Sequence, residues 1–358
     1  MEDIPFHATN ATQLPSISDS STKSESQPND HHLYKVVGMV MFIISLSLVI
    51  VRLILYILSS QGITFDKIPW ISDLLFTVVV QIGVLFCFVF LFYKNKNRMT
   101  TKQILTFSNI RTINGKNILL TTLLGFCVVV ASLGISFIWN LILTFLGYNS
   151  SSSADYMPTH FSVPLFILSF VLTAILPALC EEFAIRGGLL TVLKDKYNKK
   201  QLIIVMGLAF GLFHGFIVQF GYTAMMGALL AWIVLTTGSL VSGMIIHFIN
   251  NGLAVIVSYG LNYGWFKGIF IGDITNYLTS NFGIVVLLYL VICGIGTLLI
   301  MAIHKSNKNN PLQMRPLHND NLNAQYKPKI TLSDNLFYIG AIVVTVLETI
   351  FTFIWGLY

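Results

Sequence analysis

Apolar stretches of about twenty residues follow one another along most of this 358-residue chain, and they decide what it can fold into. A segment of that length is long enough to cross a bilayer. Inside lipid every backbone N–H and C=O must find its partner within the segment or in a closed barrel, so long apolar runs of this kind become helices. Nine stretches qualify: 36–58, 70–93, 118–146, 161–193, 202–220, 222–235, 240–257, 282–303 and 336–358. The sixth is short, so the pattern predicts an all-α, polytopic transmembrane helix bundle of about eight to nine spans. Composition agrees. Charged residues make up 10% of the chain, against about 25% in a soluble protein, and the mean hydropathy is +0.76.

The net charge of +6 sits in the loops. Seventeen Lys and Arg fall in one set of loops, among them Lys94, Arg98, Lys194, Lys200 and Lys305, while the alternate set holds only Lys67 and Lys267. This asymmetry predicts a multi-pass protein of the cell membrane with a cytoplasmic N-terminus and a cytoplasmic 194–200 loop. It also removes the reason to read the basic balance as nucleic-acid binding. Cys87, Cys127, Cys180 and Cys293 all lie in apolar segments, so no disulfide framework is expected. No secretory signal pattern opens the chain. Residues 1–32 are polar and read as a disordered cytoplasmic tail. The rest divides into N-terminal transmembrane helices at 33–160, core helices carrying the chemistry at 161–260, and an external loop with C-terminal transmembrane helices at 261–358.

Against this background the informative residues are the polar ones that should not be there. An ionisable group within a span costs on the order of 3 kcal/mol or more to insert, so it marks a pair or a site. Glu181 and Glu182 are adjacent in the fourth stretch, and Arg186 follows four residues after Glu182. That spacing puts Glu182 and Arg186 on one helix face, where they can pair. Glu181 points about 100° away and lacks a local partner. Phe210 and His214 are four apart on the fifth stretch, beside a Gly207, Gly211, Gly215 stripe that lets another helix approach. His247 and Asn251 are four apart on the seventh, and two donors one turn apart can serve one developing oxyanion. Counted from the Lys194 and Lys200 loop, Glu181 and His214 both lie roughly 20 Å along their helices. The three places are expected to meet in one intramembrane polar site reached from the cytoplasmic half.

The other polar residues carry less. Glu348 is isolated in the last stretch and reads as a packing or interface residue. Arg52 is expected to snorkel outward. Cys180 reads as inert packing. Gly187-Gly188 could break the fourth helix.

These residues point to hydrolysis with Glu181 as general base for water and His214 assisting. The alternatives stay open on residues alone. A His-Glu-x-x-His zinc signature is absent, yet Glu181, His214 and His247 could form a two-His, one-carboxylate zinc site. A proton-coupled transporter would use the same groups as a relay, but the two halves of the chain show no repeat. A catalytically silent scaffold would keep the motifs for structure.

The motifs Glu181-Glu182-Phe-Ala-Ile-Arg186, Phe210-Gly-Leu-Phe-His214 and His247-Phe-Ile-Asn-Asn251 resemble those of the type II CAAX prenyl endopeptidase family, also called CPBP intramembrane proteases. The family includes bacterial proteins linked to bacteriocin processing and self-immunity, and lysostaphin-resistance proteins. The resemblance implies a glutamate-dependent endopeptidase with no cofactor and no metal. Glu181 and His214 would activate water, His247 and Asn251 would form the oxyanion hole, and Glu182, Arg186 and Phe210 would support the site. The implied partners are the lipid bilayer and a peptide or membrane-protein substrate, prenylated or not.

Overall fold

A computed structural model describes residues 30–61, 69–148, 160–194, 196–265, 281–309, 331–355 and 357. The expected N-terminal tail therefore lies, but for its last residues, outside the described residues, as does most of the external loop after 265. The described residues are helical, with no strand among them. In chain order the helices are α1 (Asp30–Ser60), α2 (69–96), α3 (Thr101–Phe107), α4 (Gly115–Phe145), α5 (Val163–Leu193), α6 (Lys199–Phe213), α7 (Ile217–Thr237), α8 (Leu240–Asn262), α9 (Phe282–Asn307) and α10 (Leu332–Trp355). Eight of them are long and apolar enough to cross a membrane; α3 and α6 are not among these. The chain is a multi-pass membrane protein.

Sequence chemistry sets the helix ends. Asn198 opens α6 with a capping box to Gln201, and Thr100 opens α3 with one to Gln103; each box satisfies two N–H groups that the first turn leaves open. Gly238 ends α7 at φ +71, and Ser239 then caps α8. The link between α6 and α7 differs from expectation. The apolar pattern placed it near 220–222, but the chain turns at His214–Phe216, with Gly215 at φ +67. Phe216, Ile217, Val218 and Phe220 are apolar, with Gln219 among them, and this stretch leads into α7 rather than extending α6. Gly215 is thus a turn residue, and only Gly207 and Gly211 form the close-packing stripe. A Cβ on Gly207 would come within 2.8 Å of the Ala224 carbonyl, and one on Gly211 within 3.0 Å of Ala224 Cβ. These two glycines let α6 and α7 lie against each other as a hairpin.

Helices α1 and α10 pack along each other, α4 holds α7, α8 and α9, and α5 runs through the middle against α2 and α8. Gly187-Gly188 does not break α5. The helix instead widens into π-helical turns at Val171–Ile175 and Glu182–Leu190, and α2 does the same at Thr77–Phe88. Such turns concentrate at functional sites because they re-aim side chains without ending the helix. Every residue from Cys180 to Leu193 is buried. Large apolar side chains of α1, α4, α9 and α10 face outward instead, as lipid contact requires; Leu53, Leu133, Leu287 and Leu347 are examples.

Candidate active site

Helix α5 places Glu181 at the junction of an α-helical turn and the second π-helical segment. Both glutamates and Arg186 are buried there, Glu182 and Arg186 completely. Arg186 Nη1 donates to Glu182 Oε1 at 2.7 Å, the i,i+4 pair that the spacing predicts. The guanidinium also lies over the Phe210 ring, 4.1 Å from its centroid, and Nη2 reaches the Gly227 carbonyl at 3.4 Å. Phe210 thus holds the cation as well as filling space between helices.

His247 on α8 stands between the two glutamates. Its Nδ1 is 3.0 Å from Glu182 Oε1, and its Nε2 faces Glu181 Oε2 at 3.9 Å. A carboxylate only accepts, so Nδ1 carries a proton. Nε2 can then donate only when the ring is the imidazolium. Gly243, one turn earlier on α8, makes the approach possible, since a Cβ there would sit 2.8 Å from Glu182 Oε2.

His214 ends α6, and its Nδ1 is 2.8 Å from the Phe210 carbonyl. A carbonyl accepts only, so Nδ1–H is the donor and Nε2 keeps its lone pair. Glu181, His247 and Arg52 are close enough to act electrostatically on this imidazole. The Phe210 ring lies edge-on to both histidines, with centroids 4.7 Å from His214 and 5.9 Å from His247. Glu181, Glu182, Arg186, Phe210, His214 and His247 therefore form one cluster drawn from α5, α6 and α8.

Asn251 is set apart from that cluster. Its Nδ2 donates to the Thr173 carbonyl at 3.1 Å, within the first π-helical segment of α5, and its Oδ1 accepts from Asn250. His247 and Asn251 do not aim at one point in this structure. One hydrogen of the Asn251 amide remains uncommitted to Thr173, and the residue is half-buried.

One member escaped the sequence pattern. Gln81, from the π-helical part of α2, donates Nε2 to Glu181 Oε1 at 2.7 Å. The available signal was a lone amide in the apolar run 78–92. Glu181 Oε2 is buried with no hydrogen-bond partner, as is Glu182 Oε2, so one oxygen of the Glu181 carboxylate is anchored and the other is not; what sets Glu181 apart is that its open oxygen faces His247 Nε2. Two other expectations are corrected. Arg52 does not snorkel outward, and Glu348 is not isolated; the two form an ion pair beside His214. Among the described residues, no three His, Cys, Asp or Glu side chains are grouped so as to hold a metal ion.

Comparison with curated proteins and with solved structures gives no match. Comparison with family models gives one, covering residues 163–253 and so α5 from its first residue to the middle of α8. All three motifs fall inside it, while Gln81, Arg52 and Glu348 lie outside. Residues 163–253, about a quarter of the chain, are accordingly similar to the Rce1-like type II CAAX prenyl endopeptidase family, and this stretch is carried within a larger bundle of helices long enough to span a membrane.

Proposed function

We propose that this protein is an intramembrane endopeptidase in which Glu181 and His214 activate a water molecule. The observation that carries the reading is the Glu181 carboxylate: buried, fixed by Gln81 through Oε1, and with Oε2 buried and unpartnered 3.9 Å from His247 Nε2. An unpaired buried carboxylate oxygen is costly and asks for a function. Glu181 takes a proton from water as the water attacks the scissile carbonyl, and returns it to the leaving amine nitrogen as the oxyanion collapses and the C–N bond breaks. His214, with Nε2 free to accept, orients that water. His247 in its imidazolium form donates Nε2–H to the oxyanion, while Glu182 and Arg186 hold its Nδ1 side. Asn251 supplies a second donor once substrate turns its amide away from the Thr173 carbonyl. The substrate is a peptide or a membrane-protein segment presented at the cytoplasmic half of the membrane, and no metal or cofactor takes part. Prenylated CAAX peptides and bacteriocin-type propeptides are the two substrate classes to try.

The test is peptide release by the purified protein in lipid, with prenylated and unprenylated peptides and with and without chelator. Chelator-resistant release lost in Glu181→Gln and His214→Ala supports the reading. Release lost to chelator and restored by zinc replaces it with metalloprotease chemistry.

A second reading is a membrane scaffold or self-immunity protein. It is favoured by the commitment of His247 Nδ1 to Glu182 and of Asn251 to Thr173, which binds α8 to α5 with no substrate involved. A cellular phenotype that survives Glu181→Gln would select it.

A further inference from the structure

Helix α6 ends at His214 in apolar surroundings, and its last carbonyls need partners that water does not supply. The partners come from the two helices furthest apart in the described chain. Arg52 of α1 donates Nη2 to the His214 carbonyl at 2.8 Å and Nη1 to Glu348 of α10. Its guanidinium also covers the Phe216 ring, 4.6 Å from the centroid. Thr352, one turn beyond Glu348, accepts the Ile217 N–H at 3.1 Å, and its hydroxyl lies 3.2 Å from the Gly215 carbonyl and 2.9 Å from that of Thr349. Trp139 of α4 donates to the Ile217 carbonyl at 2.6 Å. Gly215, at φ +67, has no room for a side chain, because a Cβ would overlap Arg52 and Glu348.

An ion pair inside a bundle stabilises it less than an apolar pair of the same volume would. Helices α1 and α10 also have other ties, from Tyr34 to Asn335 and from Tyr338 to the Tyr34 carbonyl. The Arg52–Glu348 pair is therefore not required merely to join them. Its distinctive contact is with the backbone that carries His214. We propose that Arg52, Glu348 and Thr352 are positioning residues for His214: they fix the 214–216 turn from outside the family domain and so aim the imidazole at the Glu181 carboxylate. The proposal rests on the reading of His214 as part of the water-activating pair.

Thr352→Val tests it with almost no change of shape, because valine keeps the volume and loses the hydroxyl. Thr352→Ser keeps the hydroxyl and is the rescue. Arg52→Gln and Arg52→Lys form a parallel pair, lysine keeping the charge without the planar fork. Two quantities are read: kcat and KM for peptide release, and the ring ¹⁵N resonances of His214, assigned by their loss in His214→Gln. Misplacing a reacting group by about 1 Å costs roughly 100-fold in rate. Thr352→Val is therefore expected to lower kcat by roughly 10- to 100-fold with KM nearly unchanged and to shift the His214 resonances, and Thr352→Ser to restore both. Arg52→Gln should behave likewise, with Arg52→Lys restoring only part. Unshifted resonances in Thr352→Val and Arg52→Gln overturn the proposal, as does a kcat loss that serine does not rescue. If the wild type releases no peptide, the proteolytic reading fails by itself; the resonances still decide whether these residues set His214.

Discussion

Replacing Arg186 by methionine removes the cation from a cluster where every neighbour is arranged around it. Glu182 would keep its charge in a fully buried place, with only His247 Nδ1 left as a donor. Breaking a buried pair from one side costs about 3–5 kcal/mol. The contact with the Phe210 face, at 4.1 Å from the ring centroid, adds up to about 2 kcal/mol when desolvated. Polar groups in a membrane find substitute partners in the unfolded state, which trims the total. The expected loss is about 4 kcal/mol, near a thousandfold in the folding equilibrium. The assay is reversible unfolding in mixed micelles by titrated denaturing detergent, followed by tryptophan fluorescence. The informative comparison is Arg186→Met with Glu182→Gln, which removes both charges. That double variant should recover at least about 2 kcal/mol, because an uncharged buried pair no longer leaves a lone carboxylate. Arg186→Met within about 0.5 kcal/mol of wild type, the range of an ordinary surface change, would refute the reasoning. So would a double variant no more stable than the single one.

Other outcomes follow from single contacts. Gln81→Leu removes the donor to Glu181 Oε1; a hydrogen bond to a charged group is worth about 1.5–3 kcal/mol, so stability should fall by about that much and peptide release with it, both measured on the same preparation. Gly243→Ala drives a methyl into Glu182 Oε2 and Val234 and should lower stability by about 1–3 kcal/mol together with activity, measured on the same preparation. Gly215→Ala meets both a positive φ and the Arg52–Glu348 pair, and should reduce peptide release more than Gly207→Ala reduces it. Burial of Lys196 in the loop after α5 pushes its amine down to about 8, against the Asp334 carboxylate, which pulls it up. Between that value and the ordinary 10.5 the unfolded chain binds more protons than the folded one, so stability should rise with pH through this window and stay level below it. Melting temperatures from about pH 7 to 10 should show the rise in wild type and lose it in Lys196→Met.

Most of the bundle was legible because a membrane leaves one solution for a long apolar run. The i,i+4 spacing of Glu182 and Arg186 delivered their ion pair directly, and the polar intruders at 181, 214 and 247 do meet. What the sequence hid is of two kinds. Gln81 and the Arg52–Glu348 pair depend on contacts across 100 and 296 residues, which no local pattern encodes. The turn at Gly215 was hidden for a different reason: apolar residues resume directly at Phe216, Ile217 and Val218, so the apolar run continues through the turn with only Gln219 to interrupt it. The π-helical turns of α2 and α5 were invisible in a related way, since the few strongly polar residues there, Gln81, Glu182 and Arg186, are too sparse to form a stripe whose period could shift.

The attachment of α10 to the turn after His214 has a consequence for how the protein is made. Gly215 and Thr352 are 137 residues apart, and a ribosome adds roughly 5–20 residues per second. About 7–27 s of synthesis therefore separate the appearance of the histidine from that of the hydroxyl that tethers its turn. The third motif, His247 to Asn251, is completed early in that interval, so for most of it all three motifs have been made while the turn carrying His214 lacks its fastening. A nascent chain in this state is surrounded by other newly inserted segments, any of which is a peptide. On the proposed reading, a fastening carried by α10 delays hydrolysis until that helix has docked against the turn after His214.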